Sequence, residues 1–192
     1  MYQRSFFVEI VFKIISNYIN FVPHKILQIL YIMDNSVRVK FDKIDRKILE
    51  ILQANAKITN AQLSKDIGLS PAPTLERVKK LEQSGIIKSY HAKLDPERIG
   101  LGVSTFVLVS LIGHNKGNID AFMKEINDIQ EVIECHHITG TGDFILKIIA
   151  KDITAYQKLM LEKVSEIKEV DSMQSMVILS TFKDSKVLPI PA

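Results

Sequence analysis

Apolar positions along this chain keep a helical rhythm first and a mixed strand and helix rhythm later. Ile44, Ile48, Ile51 and Leu52 recur at i, i+4, i+7 and i+8, one face of a helix that Asn55 and Ala56 end. Thr59 opens the next helix, with Gln62 three residues on as the second half of a capping box. Leu63 and Ile67 supply its buried stripe, and Gly68 is its left-handed stop. After Leu69 alone, Ser70 is placed to cap a third helix. Pro71 and Pro73 lie in its first turn, where a missing N–H breaks no intrahelical bond. Leu75, Val78 and Leu81 are expected to be its buried face, and Gly85 its end. Three short helices with a tight glycine turn between the last two predict a helix-turn-helix. The following GIIKSYHAKLDP, residues 85–96, is rich in β-branched and aromatic residues and reads as one or two strands, a wing.

Beyond Pro96 the rhythm changes. Thr105–Ile112 reads as a strand, and Ile119, Phe122, Met123, Ile126 and Ile129 follow at helical spacing. Val132–Thr139 and Asp143–Ala150 read as strands joined by Gly140-Thr141-Gly142. Ile153, Tyr156, Leu159, Met160, Val164 and Ile167 give a second helix, and Ser175–Phe182 a last strand. The order β-α-β-β-α-β predicts a ferredoxin-like unit, so the fold class is α+β. The expected division is 33–95 for a winged helix-turn-helix with its linking strand, and 96–192 for the ferredoxin-like unit.

Residues 1–32 fit neither unit. They are dense in Phe, Ile, Tyr and Asn, yet Lys13, Asn17, Asn20, Pro23 and His24 break every apolar run short of the roughly 18–20 residues of a membrane span. The stretch lacks the layout of a signal peptide. Phe, Ile, Tyr, Asn and Lys are residue types that AT-rich codons specify, which favours translated upstream DNA with the native start at Met33; an amphipathic membrane-surface or partner helix is the competing reading.

Charge sharpens the division. The chain carries a net charge of +3, but residues 34–95 hold 12 Lys/Arg against 8 Asp/Glu, and residues 96–192 hold 10 against 13. A basic front and an acidic rear suit a polyanion-binding module joined to something else. On the third helix Ala72, Glu76, Lys79, Lys80 and Gln83 lie opposite the apolar stripe, with Pro73 and Arg77 on its flank. Such a helix offers its N-terminal side chains to base edges and its basic ones to phosphates. The candidate DNA-binding residues are therefore Lys57, Thr59, Ser70, Ala72, Pro73, Arg77 and Lys80; a merely solvated charged face is the plainer reading of the same pattern. Cys135, the one cysteine, excludes an intramolecular disulfide framework and fits a reducing cytoplasm. Cys135, His136 and His137 alternate in direction along a strand, so at most two could share a metal, and a packed sheet position is expected instead. Paired carboxylates, a triad or a metal cluster are not apparent, so neither an enzyme nor a cofactor is expected.

Taken together, DKIDRKILEILQANAKIT, LSKDIGLSPAPTLERVKKLEQSGII and ECHHITGTGDFILKI make residues 41–191 resemble the Lrp/AsnC (feast/famine) family of transcriptional regulators. The resemblance implies double-stranded DNA as partner, an amino acid or related small molecule as effector, and dimers that assemble to octamers, working in the cytoplasm on the nucleoid. By the same resemblance the effector would be held by Gly140, Thr141, Gly142 and Asp143 in the loop and Gln174 and Ser175 on the last strand. The expected function is a sequence-specific regulator tuned by a small molecule. A chromosome-architectural protein that wraps DNA with little sequence preference is the alternative. An enzyme or metabolite-binding module that uses its front helices for docking is a third.

Overall fold

A computed structural model describes residues 41–191, so the expectations for residues 1–32 and for a start at Met33 lie outside the described residues. Three helices come first: α1 (Lys43–Ala54), α2 (Asn60–Ile67) and α3 (Pro71–Gln83). Ile48, Leu49, Leu63, Ile67 and Leu81 form their shared core, and Ile86, Ile87 and, from the far end of the chain, Ile190 pack against it.

Local chemistry sets the helix ends. Asp42 and Asp45 make a full capping box on α1: the Asp42 carboxylate accepts from the N–H groups of Ile44 and Asp45, and Asp45 accepts from Asp42 N–H. The box expected at Thr59 is only half formed. Thr59 Oγ1 accepts from Gln62 N–H at 3.2 Å, whereas the Gln62 amide reaches forward to Asp66 at 2.7 Å. Gly68 stops α2 at φ 76°, a conformation that favours glycine. Asn60 donates to the Pro71 carbonyl at 2.8 Å and so ties the start of α2 to the start of α3.

Two expectations about α3 and the wing are corrected. The buried stripe of α3 is Thr74, Val78 and Leu81, while Leu75 is 43% exposed. Thr74 fits an apolar wall because its hydroxyl donates to the Ser70 carbonyl at 2.9 Å, leaving a methyl outward. Residues 86–95 form no strand among the described residues. A strand needs a neighbour with unpaired backbone groups, and this segment is held through side chains instead, Tyr90 to Glu82 at 2.8 Å and Lys93 to Asp184 at 2.8 Å.

The rear unit consists of β1 (Val103–Leu111), α4 (Lys116–Asn127), β2 (Val132–His137), β3 (Phe144–Ala150), α5 (Ile153–Leu159, widening to a π turn at Met160–Val164) and β4 (Val170–Val177). The sheet is antiparallel in the order β2-β3-β1-β4, the ferredoxin-like arrangement. Alternation assigns its faces. Val107, Val109, Leu111, Phe144, Leu146 and Ile148 are buried with Phe122, Ile126, Tyr156 and Leu159 of α4 and α5. Phe106, Leu108, Ile145, Ile149 and Met176 occupy the opposite face, half-buried or exposed. The last strand lies earlier than the Ser175–Phe182 expectation. Val170–Val177 takes up the ladder with β1, and Ile178 N–H closes it on Ser104 O at 2.9 Å. The β-branched run at 178–182 emerges beyond the end of β1, with Leu179 and Phe182 almost fully exposed.

Candidate DNA interface and effector loop

With Thr74, Val78 and Leu81 inward and roughly 100° per residue, the outward face of α3 runs through Ala72, Leu75, Glu76, Lys79 and Gln83, with Lys80 beside it. All are exposed. Ser70 stands at the N-cap with its side chain making no cap bond, so its hydroxyl is directed to solvent beside Pro71, Ala72 and Pro73. Lys57 and Thr59 are exposed at the entry to α2, where Asn55 accepts from the Lys57 N–H. Ser70, Ala72, Pro73 and Lys80 thus share the exposed α3 surface, and Lys57 and Thr59 lie on the preceding turn.

Arg77 departs from the expectation. Its guanidinium bonds Asp42 and Asp45, each at 2.7 Å, and its side chain is 32% exposed. The position is one helical turn from Thr74 and Leu81, which turns Arg77 toward the N-terminus of α1 rather than toward the outward face. The backbone N–H of Asp45, then the Arg77 guanidinium, holds the Asp42 carboxyl below its ordinary range. The same two carboxylates raise the Arg77 pKa. Pairing Arg77 with the α1 capping box joins the first and third helices through one cation. The sequence signal was available in Asp42-x-x-Asp45, but a contact across 32 and 35 residues is not visible in a periodicity.

In the rear unit, residues 138–143 connect β2 to β3, and Ile138 N–H donates to the Asp143 carbonyl at 2.9 Å to close the loop. Gly140 has φ 134°, a conformation costly for any side chain. Thr141 is exposed. Gly142 is buried because Leu108 lies over it: a Cβ there would sit 2.6 Å from Leu108 Cγ. Asp143 is buried, and its carboxylate accepts from Leu111 N–H at 3.0 Å and faces His114 Nε2 at 3.0 Å. Its backbone N–H donates to Val109 O at 2.8 Å. Asp143 therefore stitches the β2–β3 loop to the end of β1, and His114, absent from the sequence-based candidates, is its charged-capable neighbour.

Gln174 and Ser175 diverge, as strand alternation requires. Gln174 pairs with Leu108 on the open face, on the same side as the cover over Gly142. Ser175 pairs with Val107 on the helix-facing side, where its hydroxyl is hydrogen-bonded to Tyr156. Within one chain the two do not converge on the loop. Among the described residues no three metal-ligating side chains cluster. Burial pushes the Cys135 thiol up, away from the thiolate that a nucleophile needs.

Comparison with known proteins matches both units. Residues 41–88 match a winged helix-turn-helix DNA-binding model, and residues 104–188 match the Lrp/AsnC ligand binding domain. The chain is 35% identical to the transcriptional regulator AzlB of Bacillus subtilis, over 79% of this chain and 97% of that protein. It is 38% identical to the leucine-responsive regulatory protein of Escherichia coli, over 78% and 91%. A transcriptional regulator of Neisseria meningitidis, solved as a complex with L-Met, superposes with a TM-score of 0.75 at 35% identity, over 78% of this chain and 97% of that one. Escherichia coli AsnC gives 0.72 at 28% identity, over 79% and 100%.

Proposed function

The chain belongs to the Lrp/AsnC family of DNA-binding transcriptional regulators, and from that premise we propose that it binds specific duplex sites through α3 and answers to an amino acid held at the rear unit. The observation that carries the DNA reading is the exposed face of α3, whose N-terminal turn offers Ser70, Ala72 and Pro73 while Lys79 and Lys80 lie one to two turns on. Pro71 and Pro73 remove two of the N–H groups a helix start would offer to phosphate, so the following lysines suit phosphate and the first-turn side chains suit base edges. Lys57 and Thr59 extend the same contact. Arg77 serves it indirectly, by holding α3 against α1. Residues 33–95 form the DNA-binding part and residues 96–192 the response and assembly part.

For the response, the exposed Gly140–Thr141 backbone and Gln174 form the accessible part of the effector site, and Asp143 with His114 holds the loop in place. The relative solved with L-Met supports an amino acid as ligand. The half-exposed apolar face of Phe106, Leu108, Ile145, Ile149 and Met176 supports pairing of two chains through their sheets, with further assembly toward an octamer. The protein would act in the cytoplasm on the nucleoid. Among the described residues no helix is long and apolar enough to cross a membrane.

The test is retention of sheared DNA from the source genome at near-physiological salt, with sequencing of the retained fragments, repeated with L-Met and L-Leu. A few sharply enriched sites whose occupancy shifts with either amino acid support the proposal. Even retention along the genome, indifferent to ligand, overturns it in favour of the architectural alternative.

A further inference from the structure

We propose that Glu76 is a specificity-determining residue of the α3 interface, reading a cytosine through its exocyclic amino group; the inference rests on the DNA reading above. The argument is one of elimination along α3. Base edges are reached from the first turns of a recognition helix, here Ser70 to Arg77. The Ser70 hydroxyl is uncommitted and exposed, but a hydroxyl both donates and accepts and so contacts any base without discriminating. Pro71, Ala72, Pro73 and Leu75 carry no hydrogen-bonding side-chain group. The Thr74 hydroxyl is spent on the Ser70 carbonyl and is fully buried. The Arg77 guanidinium is spent on Asp42 and Asp45. Glu76 is exposed, lies close to the centre of the outward face, and has no hydrogen-bond or ion-pair partner among the described residues, although Lys79 and Lys80 stand at i+3 and i+4.

An ionised carboxylate can only accept. On a surface that meets phosphates it is repelled everywhere except opposite a base-edge donor. In the major groove the donors are the amino groups of cytosine and adenine, and glutamate's matched partner is cytosine N4. Adenine sets an acceptor, N7, beside its amino group, which a carboxylate cannot satisfy. On the N-terminal side of Glu76, the exposed Ala72 and Leu75 present methyl groups suited to thymine C5-methyl contact. The preferred half-site should therefore place a C·G pair beside thymine.

The experiment selects binding sites from a random duplex library with the full chain, Glu76→Gln and Glu76→Ala, and sequences the retained pools. Wild type should enrich cytosine at one position of each half-site, on the order of tenfold. Glu76→Gln should move that position toward adenine, because an amide both donates and accepts. Glu76→Ala should leave that position without preference, the rest of the motif staying intact. Melting curves that superimpose on wild type would confirm that the variants are folded. An unchanged motif with uniformly tighter binding in both variants would overturn the inference: Glu76 would then be a solvated charge that merely repels phosphate. If wild type enriches no motif at all, the DNA reading fails, which is a different result from the first.

Discussion

Replacing Arg77 with Ala distinguishes a clamp inside the protein from a ligand for phosphate. The cation bridges Asp42 and Asp45 at 2.7 Å each. The Asp45 side chain is 13% exposed and that of Arg77 32%, so the arm between them falls between two reference cases. Exposed pairs contribute about 0.2–1 kcal/mol, and charge-assisted hydrogen bonds about 1.5–3 kcal/mol. After discounting for solvent screening, about 1–2 kcal/mol is reasonable for that arm. On a small helical unit this lowers the melting midpoint by roughly 5–10 °C. The Asp42 carboxyl is held below its ordinary pKa, so its contribution is complete above the unfolded value of 3.8 and is lost as pH falls through the lower folded value. Thermal melts of wild type, Arg77→Ala, Asp45→Ala and the double variant, read at neutral pH and below pH 4, measure the coupling directly. DNA affinity is then measured at a temperature where each variant is folded. The clamp predicts a lowered midpoint, a coupling energy with Asp45, and an unchanged salt slope of DNA binding. A midpoint within about 2 °C of wild type, with affinity lost on every sequence and the salt slope reduced by about one, would refute it and return Arg77 to the phosphate backbone.

Four further outcomes follow from the same geometry. Partial burial and the Glu82 carboxylate that accepts its proton push the Tyr90 phenol up to about 12. Its stabilisation is complete below the ordinary value near 10 and is lost as pH rises toward 12. Ultraviolet titration against Tyr90→Phe should show one late tyrosine, and Glu82→Gln should bring it earlier. Gly142→Ala places a methyl 2.6 Å from Leu108 Cγ, and overpacking of that kind costs about 1–3 kcal/mol, read as a lower rear-unit melting midpoint. Asp143→Ala leaves the buried Leu111 N–H without its carboxylate acceptor, for about 1–3 kcal/mol; a variant that melts like wild type would show Asp143 to be dispensable to the fold. Gln53→Ala removes a side chain that accepts from Leu188 N–H at 2.6 Å and donates to its carbonyl at 3.2 Å. Exchange of the Leu188 amide should accelerate, and an unchanged rate would mean that Ile190 and the Lys93–Asp184 pair hold the tail without Gln53.

Elements whose signal is local were legible. The α1 stripe, the Gly68 stop, the prolines at the head of α3 and the β-α-β-β-α-β order all follow from spacings of a few residues, and the folded chain reproduces them. What was not legible depends on partners distant in sequence. Leu75 reads as core until Thr74 and Leu81 are seen to be buried, a rotation of α3 that also brings Arg77 to Asp42 and Asp45. The segment 178–182 is a better strand by composition than DSMQSMV, yet β1 selects Val170–Val177, because pairing and not propensity decides where a ladder ends. The wing lacks a strand for the same reason, since nothing among the described residues pairs with it. In the β2–β3 loop the glycines were readable, but the contacts of Asp143 were not. Its bonds to Leu111 N–H and His114 span 32 and 29 residues, beyond what a local pattern shows.

The alternation of β4 constrains how an effector could act. Ser175 points to α5 and its hydroxyl is hydrogen-bonded to Tyr156, so a ligand bonding that hydroxyl would compete with the tyrosine. Gln174 points the other way, toward Leu108 and thence to Gly142. On the proposed reading the exposed and uncommitted ligand groups are therefore the Gly140–Thr141 backbone and Gln174, and they lie at the margin of the same apolar face through which two chains would pair. A ligand bound there would touch the assembly surface without touching α3. Its effect on DNA would then pass through the number and arrangement of paired chains rather than through a change within one recognition helix. A ligand that shifts occupancy at widely spaced paired sites but leaves the affinity for an isolated half-site unchanged would match this geometry. Equal effects on both would not.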